Sequence, residues 1–187
     1  MYQALRTGDD QNARQIARRL IEDGTPVKDL IVQVLSPPLR DIGQSWHDGK
    51  ISIWVEHRAA GIVERILGEL TPTPRGRRRG TVMVAAVSGD LHALPTAMAA
   101  AALRADNWNV EHLGANMPPD ELLNFCATHD ITVAVLSVTN SDAEPSAQRT
   151  ATALRNAAIP VVIGGPGRTI DHLIHEVRTA TSQPTIQ

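Results

Sequence analysis

The sequence predicts an α/β chain in two parts: a helical bundle over residues 1–72 and a parallel-sheet domain over 81–187, joined by a linker over 73–80. Three observations predict it. Apolar residues recur at helical spacing through the first part. TPTPRGRRRG, residues 71–80, then supplies Pro, Gly and Arg without one apolar side chain, the composition of a connection. Beyond it, short β-branched runs alternate with helical ones, the pattern of parallel strands joined by right-handed crossovers.

In chain order, ARQIARRLIEDG is amphipathic, with Asp9 or Asp10 available as a cap and Gly24 as a stop. PVKDLIVQVLSPPLRDIGQSWHDG opens on Pro26, and Pro37 and Pro38 predict a break or kink within it. Ser52 is expected to cap a long helix, IWVEHRAAGIVERILGEL. Helices of this kind bury their apolar stripes by forming a bundle. After the linker, TVMVAAV, NVEHL, ITVAVLSVT and IPVVIGG read as strands. PTAMAAAALRADN, PPDELLNFCATHD and AEPSAQRTATALRNA read as the helices between them. Ligands of such sheets bind beyond the carboxyl ends of the strands, where SGDLHALP (88–95) and residues 164–168 both fall.

Composition narrows the function classes. Aromatic residues make up 3% of the 187, so Ala, Val, Leu and Ile fill the core and the three Trp residues stand out. A net charge of −2 gives no reason to expect nucleic acid or a membrane surface as partner, and the linker arginines read as solvated. Cys126 is the single cysteine and fits a reducing compartment. No apolar run approaches the roughly 18 residues of a membrane span, and no signal peptide opens the chain, so a cytoplasmic protein is expected.

Several motifs are excluded. No strand leads into GxGxxG, IGGPGRT lacks the Lys and spacing of a P-loop, and SGDLHALP is not a nucleophile elbow. His172 and His175 lie without a cluster of Cys or carboxylates and read as a polar helix face. Asp90 and His92 are different. A metal-ligating histidine usually gives its second ring N–H to a carboxylate, which Asp90 could supply. One protein ligand cannot hold a bare ion, so a metal bound here would arrive inside a cofactor.

Asp90-Leu-His92-Ala-Leu-Pro95, then Ser137-Val-Thr139 after residues 96–136, then Gly164-Gly165 after 140–163, resembles the D-x-H-x-x-G, S-x-L and G-G signature of cobalamin-binding domains. These domains occur in methionine synthase, coenzyme-B12 mutases and corrinoid methyl carriers. The resemblance implies a Rossmann-like, flavodoxin-like sheet under a helical cap. It also implies that His92 replaces the cofactor's benzimidazole as lower axial ligand to cobalt, with the freed nucleotide tail in a slot lined by Ser137, Thr139, Gly164 and Gly165. Pro95 stands where the family has Gly, Thr139 where it has Leu, the last spacing is slightly short, and the usual fifth strand is expected to be abbreviated or missing.

The helical half carries a second pattern. Trp46, residues 47–55, then Glu56-His57 resembles the W-x9-E-H motif of the adenosylcobalamin-dependent photoreceptor regulators. The resemblance implies that Trp46 covers the adenosyl group and that Glu56 and His57 help hold it. It further implies that His47 takes cobalt's upper position once light has removed that group. Those regulators normally begin with a helix-turn-helix DNA-binding domain, and nothing before residue 8 could form one; the sequence is expected to be either a separately encoded sensor or a fragment, and direct nucleic-acid binding by it is not expected. The expected function is a non-catalytic light sensor that binds adenosylcobalamin between cap and sheet domain. Its output would be light-dependent self-association or contact with a separate regulatory protein. The alternatives are a corrinoid methyl carrier serving a separate methyltransferase, and a cobalamin buffer.

Overall fold

A computed structural model of the chain describes residues 1–70 and 76–181. The chain divides into two compact units, Met1–Thr71 and Pro72–Gln187.

In the first unit, α1 (Tyr2–Thr7) is followed by α2 (Asp10–Glu22). Of the two candidate caps it is the Asp9 carboxylate that accepts the Asn12 N–H, at 3.1 Å. α3 (Val27–Asp29) runs without a break through a π-helical segment, Leu30–Leu35, into α4 (Ser36–His47). The expected break at Pro37 and Pro38 does not occur. The preceding turn widens instead, and the two prolines fall in the first turn of α4, where missing N–H groups cost little. The Ser36 hydroxyl donates to the Ile31 carbonyl in that widened turn, at 2.7 Å. α5 (Ile53–Glu69) begins at Ser52, but the Ser52 side chain makes no capping bond; its backbone carbonyl accepts from Val55 at 3.0 Å. α5 buries Val55, Ala59, Ile62, Val63, Ile66 and Leu67, one stripe at helical period, and packs against α1, α2 and α4.

In the second unit, β1 (Thr81–Val87), β2 (Asn109–Met117), β3 (Val133–Ser137) and β4 (Val161–Gly164) form a parallel sheet in the order β2-β1-β3-β4. α6 (Ala93–Ala105), α7 (Pro119–Thr128), α8 (Glu144–Asn156) and α9 (Ile170–Ala180) supply the connections and the last element. Side chains alternate across the sheet. Met83, Ala85, Val87, Ala134 and Leu136 pack with α7 and α8, whereas Val82, Val84, Val133 and Val135 pack with α6 and α9. Of the three tryptophans only Trp108 is a core anchor, buried with the second group.

Three further local outcomes differ from expectation. β2 continues beyond NVEHL to Met117, through irregular register against β1. α6 starts at Ala93, so Pro95 is its third residue, still within the first turn where no N–H is required. The linker arginines are not all solvated: Arg78 donates to the Trp108 carbonyl at 3.1 Å and Arg79 to that of Asp106 at 2.9 Å. The Asp106 carboxylate, mostly buried, also receives the Trp108 indole N–H and pairs with Arg178. Among the described residues the sheet has four strands. The expectation of an abbreviated or missing fifth strand concerns the end of the chain, where residues 182–187 lie outside the described residues.

Candidate functional site

Chain order along the sheet reverses between β1 and β3, and the loops that leave those two strands meet at their carboxyl ends. From β1 comes Ser88–His92; from β3 come Val138–Asn140. Asp90 stands where they meet and is fully buried. Its Oδ2 accepts the backbone N–H groups of Thr139 and, at 3.3 Å, Asn140. Its Oδ1 accepts the backbone N–H of His92 at 3.0 Å and meets the His92 ring Nδ1 at 2.7 Å. Burial alone would raise the Asp90 pKa, but the N–H groups of Thr139 and His92, the His92 ring and the Asn140 N–H outweigh it. The carboxylate is held ionised, below its ordinary range.

An ionised Asp90 at Nδ1 fixes the neutral His92 tautomer, with its proton on Nδ1 and the lone pair on Nε2. The ring is more than half exposed, so that lone pair is available to a ligand. Thr139 contributes its backbone N–H to this arrangement, a donor that a Leu in its place would also carry. Asn116, which sequence reasoning missed, braces the same loop by accepting the Gly89 N–H at 2.9 Å.

Ser137 and Gly164 are register partners at the ends of β3 and β4, and Ser137 is buried. The two glycines serve different ends. A Cβ on Gly165 would collide with the Val138 carbonyl oxygen, so that residue is required by the fold itself. A Cβ on Gly164 would meet nothing within 4 Å, which leaves open space beside the strand end.

Exposed large hydrophobic side chains concentrate in the two motif regions: Leu91 at 76%, Trp54 at 59%, Ile53 at 45% and Trp46 at 43%. Leu91 stands between Asp90 and His92. In the helical unit, Trp46 and His47 end α4, and Glu56 and His57 lie in the first turns of α5, which packs against α4. Glu56 and His57 approach each other, with His57 Nε2 at 3.6 Å from Glu56 Oε2. Trp54, in the first turn of α5, lies under the Arg58 guanidinium at 5.0 Å. The turn after Trp46 is tied down by the Asp48 carboxylate, which accepts from Lys50 at 2.8 Å and Gln44 at 2.7 Å.

Among the described residues no group of three or more His, Cys, Asp or Glu converges to hold a bare metal ion, and no helix is long and apolar enough to cross a membrane. A separate groove of about 550 Å³ lies along the outer edge of β4 between α8 and α9, and none of the predicted site residues lines it.

Residues 80–176 match a family model described as B12 binding domain, and residues 1–71 match a second model of the same description. The HTH-type transcriptional repressor CarA of Myxococcus xanthus is 30% identical over 158 residues, covering 80% of this chain and 52% of that protein. CarH, a second HTH-type transcriptional repressor from Myxococcus xanthus, is 30% identical over 137 residues, 71% of this chain and 46% of that protein. The chain therefore spans about half the length of the curated relatives it matches. The solved monomethylamine corrinoid protein of Methanosarcina barkeri has the same fold, with a TM-score of 0.71 at 14% identity over 96% of this chain and 94% of that one.

Proposed function

The chain belongs to the B12 binding domain family, and from that premise we propose that it is a non-catalytic, cytoplasmic light sensor whose cofactor is adenosylcobalamin. The observation that carries the cofactor reading is the Asp90–His92 pair: a buried carboxylate at Nδ1 and a half-exposed ring with Nε2 unencumbered. The surroundings fit a corrinoid. Leu91 offers an apolar contact beside the ligating ring, and the open space at Gly164 leaves room for a nucleotide tail near Ser137, Thr139 and Gly165. The regulatory role is supported by likeness to CarA and CarH, two transcriptional repressors, and the restriction to the adenosyl form by the exposed Trp46 in its W-x9-E-H pattern.

When bound, adenosylcobalamin supplies a cobalt–carbon bond that visible light breaks. The residues of this chain do the rest. His92 would hold the cobalt through Nε2, with Asp90 keeping the tautomer of its ring. Trp46 would cover the adenosyl group, Glu56 and His57 would help hold it, and His47 would hold the cobalt once light has removed that group. Only a difference in contacts between dark and lit states can drive a switch, and loss of the Trp46, Glu56 and His57 contacts is such a difference. The output is a change in self-association or in contact with a separate regulatory protein.

The test is the absorption spectrum of protein loaded with adenosylcobalamin in the dark, before and after green light, with size-exclusion chromatography on both samples. A single conversion to a stable bis-histidine spectrum with altered elution is the expected result. Stable methylcobalamin binding, methyl transfer to a thiol acceptor and indifference to light would instead make the chain a methyl carrier. Similar affinity for every cobalamin form, with no change in light, would make it a buffer.

A further inference from the structure

Three non-glycine residues among those described have a positive φ: Asn107 at 69°, Asn116 at 56° and Ala158 at 61°. Asn107 and Ala158 follow α6 and α8, where a left-handed residue is an ordinary way to end a helix. Asn116 ends no helix. It lies inside β2, next to its last residue, where a strand would otherwise continue extended. Asparagine tolerates this conformation better than most side chains. What it gains there is a grip on two consecutive residues of the neighbouring loop. Its Oδ1 accepts the Gly89 N–H at 2.9 Å, and its own backbone N–H donates to the Asp90 carbonyl, also at 2.9 Å.

Asp90 is thereby held from two strands. Thr139 and Asn140 fasten its carboxylate from the β3 side, and Asn116 fastens its backbone from the β2 side. Because Asp90 Oδ1 orients the His92 ring, any play in residues 89–90 passes directly to Nε2. We propose that Asn116 is a positioning residue for His92, fixing where the imidazole stands beyond the sheet edge. The proposal rests on the reading of His92 as cobalt ligand and adds a residue to it from another strand.

The test uses the full chain loaded with hydroxocobalamin and reduced to the cobalt(II) form, with 15N-labelled histidine. Electron paramagnetic resonance then reads whether a histidine nitrogen is bound to cobalt. Asn116→Gly can keep the left-handed backbone but loses the side chain and with it Oδ1; Asn116→Asp keeps an acceptor oxygen. Asn116→Gly is expected to lower cobalamin affinity on the order of tenfold, as outer partners of metal ligands typically do, and to leave much of the cobalt without a histidine nitrogen. Asn116→Asp is expected to restore that signal. A purely structural role would lower the melting temperature of Asn116→Gly without changing the splitting pattern of the cofactor that remains bound. An unchanged histidine signal in Asn116→Gly overturns the proposal alone. A wild type that shows no histidine nitrogen, or no uptake, overturns it together with the reading of His92.

Discussion

His92 meets a single oxygen of Asp90 twice, through its backbone N–H at 3.0 Å and through ring Nδ1 at 2.7 Å. The residue is thus fixed at its backbone and at its ring by one buried carboxylate. Asp90→Asn keeps the shape but replaces one acceptor oxygen by an N–H donor and removes the charge. Of the four donors now facing the carboxylate, two would lose their acceptor and the other two would face a weaker, uncharged one. The expected result is a cobalamin affinity lower by roughly 10–100-fold and a stability loss of about 1–3 kcal/mol. Cobalamin titration and a urea melt read the two separately, and an unchanged affinity would remove Asp90 from the site.

Neighbouring glycines are expected to respond in opposite ways. Gly165→Ala drives a methyl into the Val138 carbonyl and should cost about 1–3 kcal/mol. Gly164→Ala meets no protein atom and should leave the melt of the cofactor-free protein within about 0.5 kcal/mol. With the nucleotide tail beside Gly164, that same methyl should weaken cobalamin binding. Equal binding by Gly164→Ala and wild type would place the tail elsewhere.

Stability should fall on the acid side in two stages. Burial, with the Arg104 charge second, lowers the His112 pKa from 6.5, so between these values the unfolded chain binds a proton that the folded chain refuses. The His112 contribution is complete above pH 6.5 and declines as pH falls through 6.5 toward the folded value. The Asp90 contribution is complete above its ordinary 3.8 and is lost as pH falls through the lower folded value. Urea melts of the cofactor-free protein at pH 7.5 and pH 5.5 should therefore show a larger loss for wild type than for His112→Gln. Equal losses would mean that His112 titrates normally.

Trp46→Ala removes a side chain that is 43% exposed and should shift the melt by less than about 1 kcal/mol. It should also erase any preference for adenosylcobalamin over methylcobalamin. His47→Ala should leave dark binding intact and abolish the stable lit spectrum. A lit spectrum and elution profile identical to wild type would remove His47 from the switch.

The division into helical and parallel-sheet halves was legible because apolar patterning is a local property: helical spacing before 71–80, and after it short apolar runs alternating with helical ones. Asp90 and His92 were legible for a similar reason: two residues apart, they find each other within one loop. The motif placed Thr139 at the site as a side chain, whereas the structure uses its N–H, a donor present at every residue except proline and therefore silent in sequence. Asn116 was missed because its role depends on the register of β2 against β1, which brings together residues distant in the chain. The same holds for Gly165, whose need for hydrogen in place of a side chain comes from how closely the turn after β4 passes Val138. Trp108 and Trp54 are alike in sequence and opposite in burial, decided by which face of a packed element each happens to occupy. Sequence alone determined the family, the two folds and the residues that find their partners within a turn. Tertiary structure decided which atoms of those residues are used and which distant residues hold them, because hydrogen bonds between strand ends exist only after the strands have paired.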